Sequence, residues 1–111
     1  MMSDFDTLRR DWLAHLGHER RLSPKTLEAY GRDIEQFATF LTHHLDAPPS
    51  LKAVAALKPA DLRAFLGYRR RDGVGNRTLM RQLAALRSLA RFGERSGRLT
   101  AAAFAATRGP R

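Results

Sequence analysis

One stretch of the chain, Arg77 to Arg95, separates its apolar and its basic residues along a helical period. The apolar positions repeat at i, i+4, i+7 and i+11, as on one face of an α-helix, and are Leu79, Leu83, Leu86 and Ala90. A second set with the same spacing lies roughly 120–140° around the helix. It consists of Arg77, Arg81, Ala84, Ser88, Arg91 and Arg95. The pattern predicts an amphipathic helix with one apolar face and one arginine-rich face.

The same period predicts three further helices before this one. The first runs from about Asp4 to Arg20, and its apolar stripe includes Trp12, which we assign to the core. The second runs from Pro24 to about Leu45, with Ser23 as its cap and a proline at its first position, where the missing N–H costs nothing. The third runs from Pro59 to Arg71.

The remaining segments are predicted to be connections, caps and a short terminal turn. Asp46 to Lys58 contains two adjacent prolines and is predicted to be a connection held to the core by its apolar residues. Gly75 or Asn76 would cap the arginine-rich helix, and Leu99 to Ala106 would form one or two turns. No strand pattern is present. The predicted fold class is therefore all-α, with four main helices and a short fifth helix at the C-terminal end.

The basic charge of the chain is concentrated in its second half. The net charge is +9, with 7 Lys/Arg against 8 Asp/Glu in residues 1–55 and 13 against 3 in residues 56–111. Of the 20 cations 17 are arginine, whose planar fork suits phosphates and guanine. This distribution indicates a nucleic-acid surface, although an acidic protein partner would fit the charge equally well.

The overall composition narrows the class of protein. At 111 residues, 43% hydrophobic and 28% charged, the chain has the size and composition of one ordinary globular domain. It contains no cysteine, so disulfide and thiolate chemistry are excluded and a reducing cytoplasm is expected. No apolar run approaches the ~20 residues that a membrane span needs, so no membrane partner is expected.

The sequence shows no catalytic constellation. His15 and His18 stand at i, i+3, a spacing that can hold a metal, but no third ligand is near them in sequence, and we predict no metal and no cofactor. A glycine-rich phosphate loop and a nucleophile elbow are both lacking. Binding is therefore the favoured class of function.

Two helix segments carry candidate binding groups. At the start of the second helix, the unpaired N–H groups together with Lys25 and Thr26 would form a phosphate site; the alternative is a plain cap with an exposed lysine. On the arginine-rich helix, Ala84, Ala85 and Ser88 would let the backbone approach a polyanion. The alternative there is a solvated face that happens to be rich in arginine.

Both segments belong to longer patterns that resemble the N-terminal core-binding domain of tyrosine recombinases of the Xer/phage-integrase family. One pattern extends from Glu19 to Phe37 (ERRLSPKTLEAYGRDIEQF) and the other from Asn76 to Leu89 (NRTLMRQLAALRSL). They occur in the order and at about the distance seen in that family, and the resemblance covers essentially the whole chain. One departure is Gly75, which stands where relatives commonly carry a serine cap.

The resemblance implies a compact orthogonal, SAM-like bundle of four main helices that clamps duplex DNA, with the second and fourth helices against the major groove. Residues that match the family's motif, or that share the polar faces of these two helices, are the predicted DNA-binding residues: Ser23, Lys25, Thr26, Arg32, Arg77, Thr78, Arg81, Arg87 and Arg91. Arg87 lies near the edge of the apolar stripe, where structural pairing is an equal alternative. Tyr30 and Asp33 match the motif as framework residues.

The resemblance also implies a second domain. Residues 1–106 would be the DNA-binding domain, and 107–111 the start of a linker to a C-terminal catalytic domain that this chain lacks. In the family, strand exchange proceeds through a covalent phosphotyrosine in that domain. No residue here is therefore assigned a catalytic role, and the chain is expected to bind DNA without cutting it.

The implied partners are duplex DNA at a recombination site and a second Xer-type recombinase, or copies of the chain itself, in a tetramer on DNA. The implied location is the nucleoid of the bacterial cytoplasm. A protein-interaction module, whose basic face meets an acidic partner, remains the alternative function.

Overall fold

The computed structural model describes residues 2–100 and 102–107. Within these ranges the chain forms six helices and no strand: α1 (Asp4–His18), α2 (Pro24–His44), α3 (Leu51–Ala55), α4 (Pro59–Arg71), α5 (Asn76–Arg95) and α6 (Ala102–Ala106). The all-α class with four main helices is confirmed. No helix in the described chain has the length and apolarity needed to cross a bilayer. The helices fall into two compact units, one ending at Leu51 and the other beginning at Lys52.

The first unit is built on the packing of α1 against α2. Trp12 is fully buried and stacks on Tyr30, with parallel rings whose centroids lie 5.9 Å apart, so the assignment of this tryptophan to the core is confirmed. Stacked aromatic pairs add stabilisation beyond the area that they bury. The other apolar side chains buried in these two helices are Phe5, Leu8, Leu16, Ile34, Phe37, Phe40 and Leu41.

Local hydrogen bonds fix the start of α1, and the turn into α2 sets its end. The Asp6 N–H donates to the Ser3 hydroxyl at 3.0 Å, and the Ser3 N–H donates to the Asp6 carboxylate at 3.2 Å, which forms a capping box. The helix ends at His18, two residues earlier than predicted. The chain must turn into α2 almost at once, and Arg21 takes a left-handed φ of 53° to do so.

The connection between α2 and α4 contains a helix that the sequence pattern did not predict. Helix α2 ends at His44, ahead of the two prolines, and after them α3 forms a single short helix from Leu51 to Ala55. Val54 and Leu57 are buried, as predicted for the apolar residues of this segment. A helix this short is marginal on its own, so burial of these side chains is what stabilises it.

The second unit is formed by α4, α5 and α6. All four residues of the predicted apolar stripe of α5 are buried, together with Gln82 and Leu89 on its flank. They pack with Leu62 and Phe65 of α4 and with Phe104 of α6, which is 2% exposed. Helix α6 begins at Ala102, three residues later than the predicted turn, although Leu99 is buried ahead of it.

The junction between α4 and α5 resolves the capping alternative. Gly75 is the N-cap and contributes no side-chain hydrogen bond. Asn76 is the first helical residue, and its amide oxygen accepts a hydrogen bond from Arg70 Nη2 at 3.2 Å. Gly73 has a φ of 86°, a left-handed conformation that glycine adopts without strain, and it turns the chain between the two helices.

Candidate nucleic-acid interface

The start of α2 presents a capped helix end with one exposed cation. The Ser23 hydroxyl accepts the Thr26 N–H at 3.2 Å and lies 3.0 Å from the Thr26 hydroxyl. Lys25 is exposed and makes no ion pair within the described residues. The cap therefore uses one of the first-turn N–H groups and the serine side chain, while the lysine amine stays available to an anion.

Arg32 lies two turns further along α2, on its exposed side. Its guanidinium is 3.9 Å from the Glu28 carboxylate, and both side chains are more than half exposed. An exposed i, i+4 pair of this length contributes roughly 0.3–0.5 kcal/mol at most, so a phosphate could displace it. Arg32 can therefore bind an anion in the structure, although Glu28 competes for it.

The arginine-rich face of α5 is largely exposed. Arg77, Arg91 and Arg95 are exposed, and no carboxylate of the described residues forms an ion pair with any of them. Ala84 is exposed between them. The three guanidiniums thus lie along one helix face with their donors unused by the described chain, a row of positive charge interrupted by a small side chain.

Other predicted contacts on α5 are less open. Thr78, Ser88 and Arg81 are half-buried, and Arg81 already takes part in an interaction within the protein. Ala85 is fully buried, so its predicted role in letting a polyanion approach is wrong. At 100° per residue Ala85 lies about 100° from Ala84, which is enough to move it from the exposed face to the packed one.

Arg87 makes contacts of a different kind. Its Nε donates to the Phe104 carbonyl at 3.3 Å, and its Nη2 donates to the Thr107 carbonyl. The side chain thereby links α5 to the C-terminal end of α6, where helix carbonyls have no partner within the helix. Of the two interpretations of Arg87, this geometry favours structural pairing.

The arginines at the end of α4 are partly committed to local structure. Arg69 is 15% exposed and pairs with Asp72 at 3.2 Å, and Arg70 donates to Asn76 as described above. These contacts hold the turn between α4 and α5, as basic residues at a helix C-terminus can do. Arg71 is exposed.

The structure also reveals an exposed residue that sequence reasoning missed. Met80 is 49% exposed and lies on α5 between Arg77 and Ala84. Its position was readable from the helical period, because it falls outside the leucine stripe and at the edge of the arginine-rich face, about 20° around the helix from Arg91.

The two candidate regions differ in their electrostatic setting. The unit that ends at Leu51 and carries the start of α2 has 6 Lys/Arg against 8 Asp/Glu, whereas the unit that carries α5 has 14 against 3. The unit with α5 is therefore strongly basic and would supply most of the attraction for a polyanion.

The histidines noted in the sequence form no metal centre among the described residues. His15 Nδ1 lies 3.2 Å from the Glu19 carboxylate, as in an i, i+4 pair on a helix surface. No group of three or more His, Asp or Glu side chains within the described chain is arranged to hold a metal ion.

Comparison with known proteins identifies the family. Residues 10–97, which include both α2 and α5, match the family described as phage integrase, N-terminal SAM-like domain. The chain belongs to this family. Its SAM-like fold class is thereby confirmed, and so is the resemblance that the two sequence patterns carried.

Curated relatives in this family are named tyrosine recombinase XerC. The protein of Rhizobium meliloti is 57% identical over 103 residues, covering 93% of this chain and 32% of the relative. That of Mesorhizobium japonicum is 54% identical over 108 residues (97% and 35%), and that of Brucella suis is 52% identical over 109 residues (98% and 35%). The chain spans about a third of the length of the curated relatives it matches. No solved structure matches it.

Proposed function

We propose that this chain is the DNA-binding N-terminal domain of a XerC-like site-specific tyrosine recombinase, and that it clamps duplex DNA through α2 and α5. The observation that carries the proposal is the row of exposed arginines on α5, none of which forms an ion pair within the described chain. An arginine without a protein partner keeps its donors for phosphate oxygens or base edges.

The start of α2 would supply the second contact with the duplex. The Lys25 amine, together with the Lys25 N–H (the one first-turn donor that the proline and the serine cap leave unpaired), suits a phosphate, with Ser23 and Thr26 holding the turn in place. Arg32 would add charge on the same helix once Glu28 releases it. On α5, Arg77 and Arg91 would contact the DNA, with Thr78 and Arg81 at the edge of the contact.

Salt dependence of binding tests this proposal. A fluorescently labelled 30-base-pair duplex would be titrated with the 111-residue chain at several NaCl concentrations. Neutralising about four phosphates, with Lys25, Arg32, Arg77 and Arg91, predicts that log affinity falls with log salt with a slope of about −3.6. Arg77→Gln and Arg91→Gln should each make that slope less steep by about 1.

A matched control comes from α1. Arg10 is 62% exposed and pairs only weakly with Asp11 at 3.4 Å, and Arg10→Gln removes the same charge from a helix outside the proposed contact. This variant should leave the slope unchanged. Equal effects of all three substitutions would indicate attraction by net charge alone. Absence of duplex binding at low salt would overturn the proposal and favour the alternative, an acidic protein partner.

The remaining functions belong to the longer protein. We propose that it exchanges DNA strands through a tyrosine nucleophile located outside this chain, so that the chain itself binds without cutting. It would act in a tetramer with a XerD-like recombinase or with copies of itself, in chromosome dimer resolution at the bacterial nucleoid. The names of the curated relatives support the recombinase activity. A plasmid carrying two recombination sites would be resolved by the full-length protein and would remain intact with the 111-residue chain.

A further inference from the structure

An exposed apolar patch interrupts the arginine row of α5. Met80 is 49% exposed, and Ala84, four residues on, is exposed as well. Counting 100° per residue, both lie within roughly 60° of Arg77 and Arg91 around the helix. Among these four exposed residues the order along the helix is guanidinium, thioether, methyl, guanidinium, while Arg81 and Ser88, which lie between Arg77 and Arg91 in sequence, are half-buried.

We propose that Met80 and Ala84 contact thymine 5-methyl groups in the major groove, while Arg77 and Arg91 hold the helix to the DNA on either side. This inference rests on the proposed function, because it assigns a base-reading role to the same helix face. Thymine presents a methyl group at the edge of the major groove, and no other base of unmodified DNA does, so an apolar contact there reads sequence.

The spacing along α5 supports this division of roles. Arg77 and Arg91 are 14 residues apart, a rise of about 21 Å, whereas the major groove is about 12 Å wide. Arginines at the two ends of such a span can reach the phosphates that border the groove, and side chains between them face the base edges. Met80 and Ala84 occupy that middle part.

The two apolar side chains suit such a contact in complementary ways. Ala84 is small, so it lets the helix backbone come close to the bases. Methionine is unbranched, and its polarisable thioether adapts to an irregular apolar surface. Met80 is not among the buried core residues of its unit, and the neighbouring core positions on α5 are filled by leucines.

Replacement of thymine by uracil tests the proposal without changing any hydrogen bond. A duplex would first be enriched by the wild-type chain from a pool of random 30-base-pair duplexes. The enriched duplex would then be resynthesised with deoxyuridine in place of thymidine, one position at a time. Loss of one buried methyl contact should weaken wild-type binding by about fourfold at one or two positions.

The protein variants complete the test. In Met80→Gln the uracil effect should disappear at the position that Met80 contacts, because the side chain that sensed the methyl group is gone, and it should persist at a position that Ala84 contacts. Met2, also 49% exposed but outside α5, gives the control Met2→Gln, which should keep the full effect. Glutamine and methionine have similar helix propensities, so the folded state of Met80→Gln should persist, as circular dichroism would verify.

The outcomes separate this inference from the function on which it rests. Salt-dependent binding with equal affinity for every thymine and uracil duplex would overturn the role of Met80 and Ala84 while leaving the DNA-binding function intact. A uracil effect that survives in Met80→Gln at every position where the wild type shows it would overturn it as well. Absence of duplex binding by the wild-type chain would overturn both.

Discussion

A substitution of Arg87 tests most directly whether an arginine of α5 stabilises the fold or binds DNA. The substitution Arg87→Met keeps most of the aliphatic stem and removes the guanidinium that donates to the Phe104 and Thr107 carbonyls. These carbonyls lie at the C-terminal end of α6 and lack helical partners. We therefore expect the loss to act on the stability of the α5–α6 packing and to leave the duplex contact unchanged.

The size of the effect follows from the two hydrogen bonds. A hydrogen bond to a charged donor contributes about 1.5–3 kcal/mol when buried, and this pair is only part-buried, so we expect a loss of about 2 kcal/mol for both together. For a chain of 111 residues this corresponds to a fall in Tm of about 8 °C. Differential scanning calorimetry would measure it directly.

Arg91, one helical turn further along α5, is the matched control. It is exposed and forms no ion pair within the described chain, so Arg91→Met should change the free energy of unfolding by no more than about 0.5 kcal/mol. In duplex titrations well below the Tm, the order reverses: Arg91→Met should weaken binding, and Arg87→Met should bind like the wild type. An unchanged Tm for Arg87→Met, combined with weaker DNA binding, would refute the structural assignment of Arg87.

Three other substitutions test individual parts of the fold by thermal or urea unfolding. Ser23→Ala removes the hydroxyl that accepts the Thr26 N–H and should destabilise the chain by about 1 kcal/mol; no change would mean that the cap is dispensable. Gly67→Ala should stabilise α4 by about 0.5–1 kcal/mol, since the new methyl group meets only the flexible end of an arginine side chain at 3.6 Å. Gly73→Ala should instead destabilise the folded chain, because this residue has a φ of 86°. Equal effects of the two glycine substitutions would contradict this reasoning. Leu79→Ala should cost about 2–5 kcal/mol, because the side chain is fully buried, and a smaller loss would show that the unit repacks around the cavity.

Local sequence was sufficient for most of the helical framework. The Ser23-Pro24 pair predicts the start of α2 at the residue where the structure has it, because a capping hydroxyl and a proline at the first position act within one turn. The leucine stripe of α5 predicts its buried face, since the helical period alone decides which side chains share a face. The two motif patterns also carried the family resemblance that comparison confirmed.

Only the tertiary structure distinguished among residues that look alike in sequence. Arg87 and Arg91 lie one turn apart on the same helix, yet one donates to α6 and the other is exposed, because the position of α6 depends on contacts far apart in the chain. Ala85 is buried and its neighbour Ala84 is exposed. An alanine side chain is too small and too weakly polar to indicate by itself which face of a helix it occupies. Helix α3 exists because burial stabilises a segment of five residues, which is too short to be a stable helix on its own even though most of its residues are good helix formers.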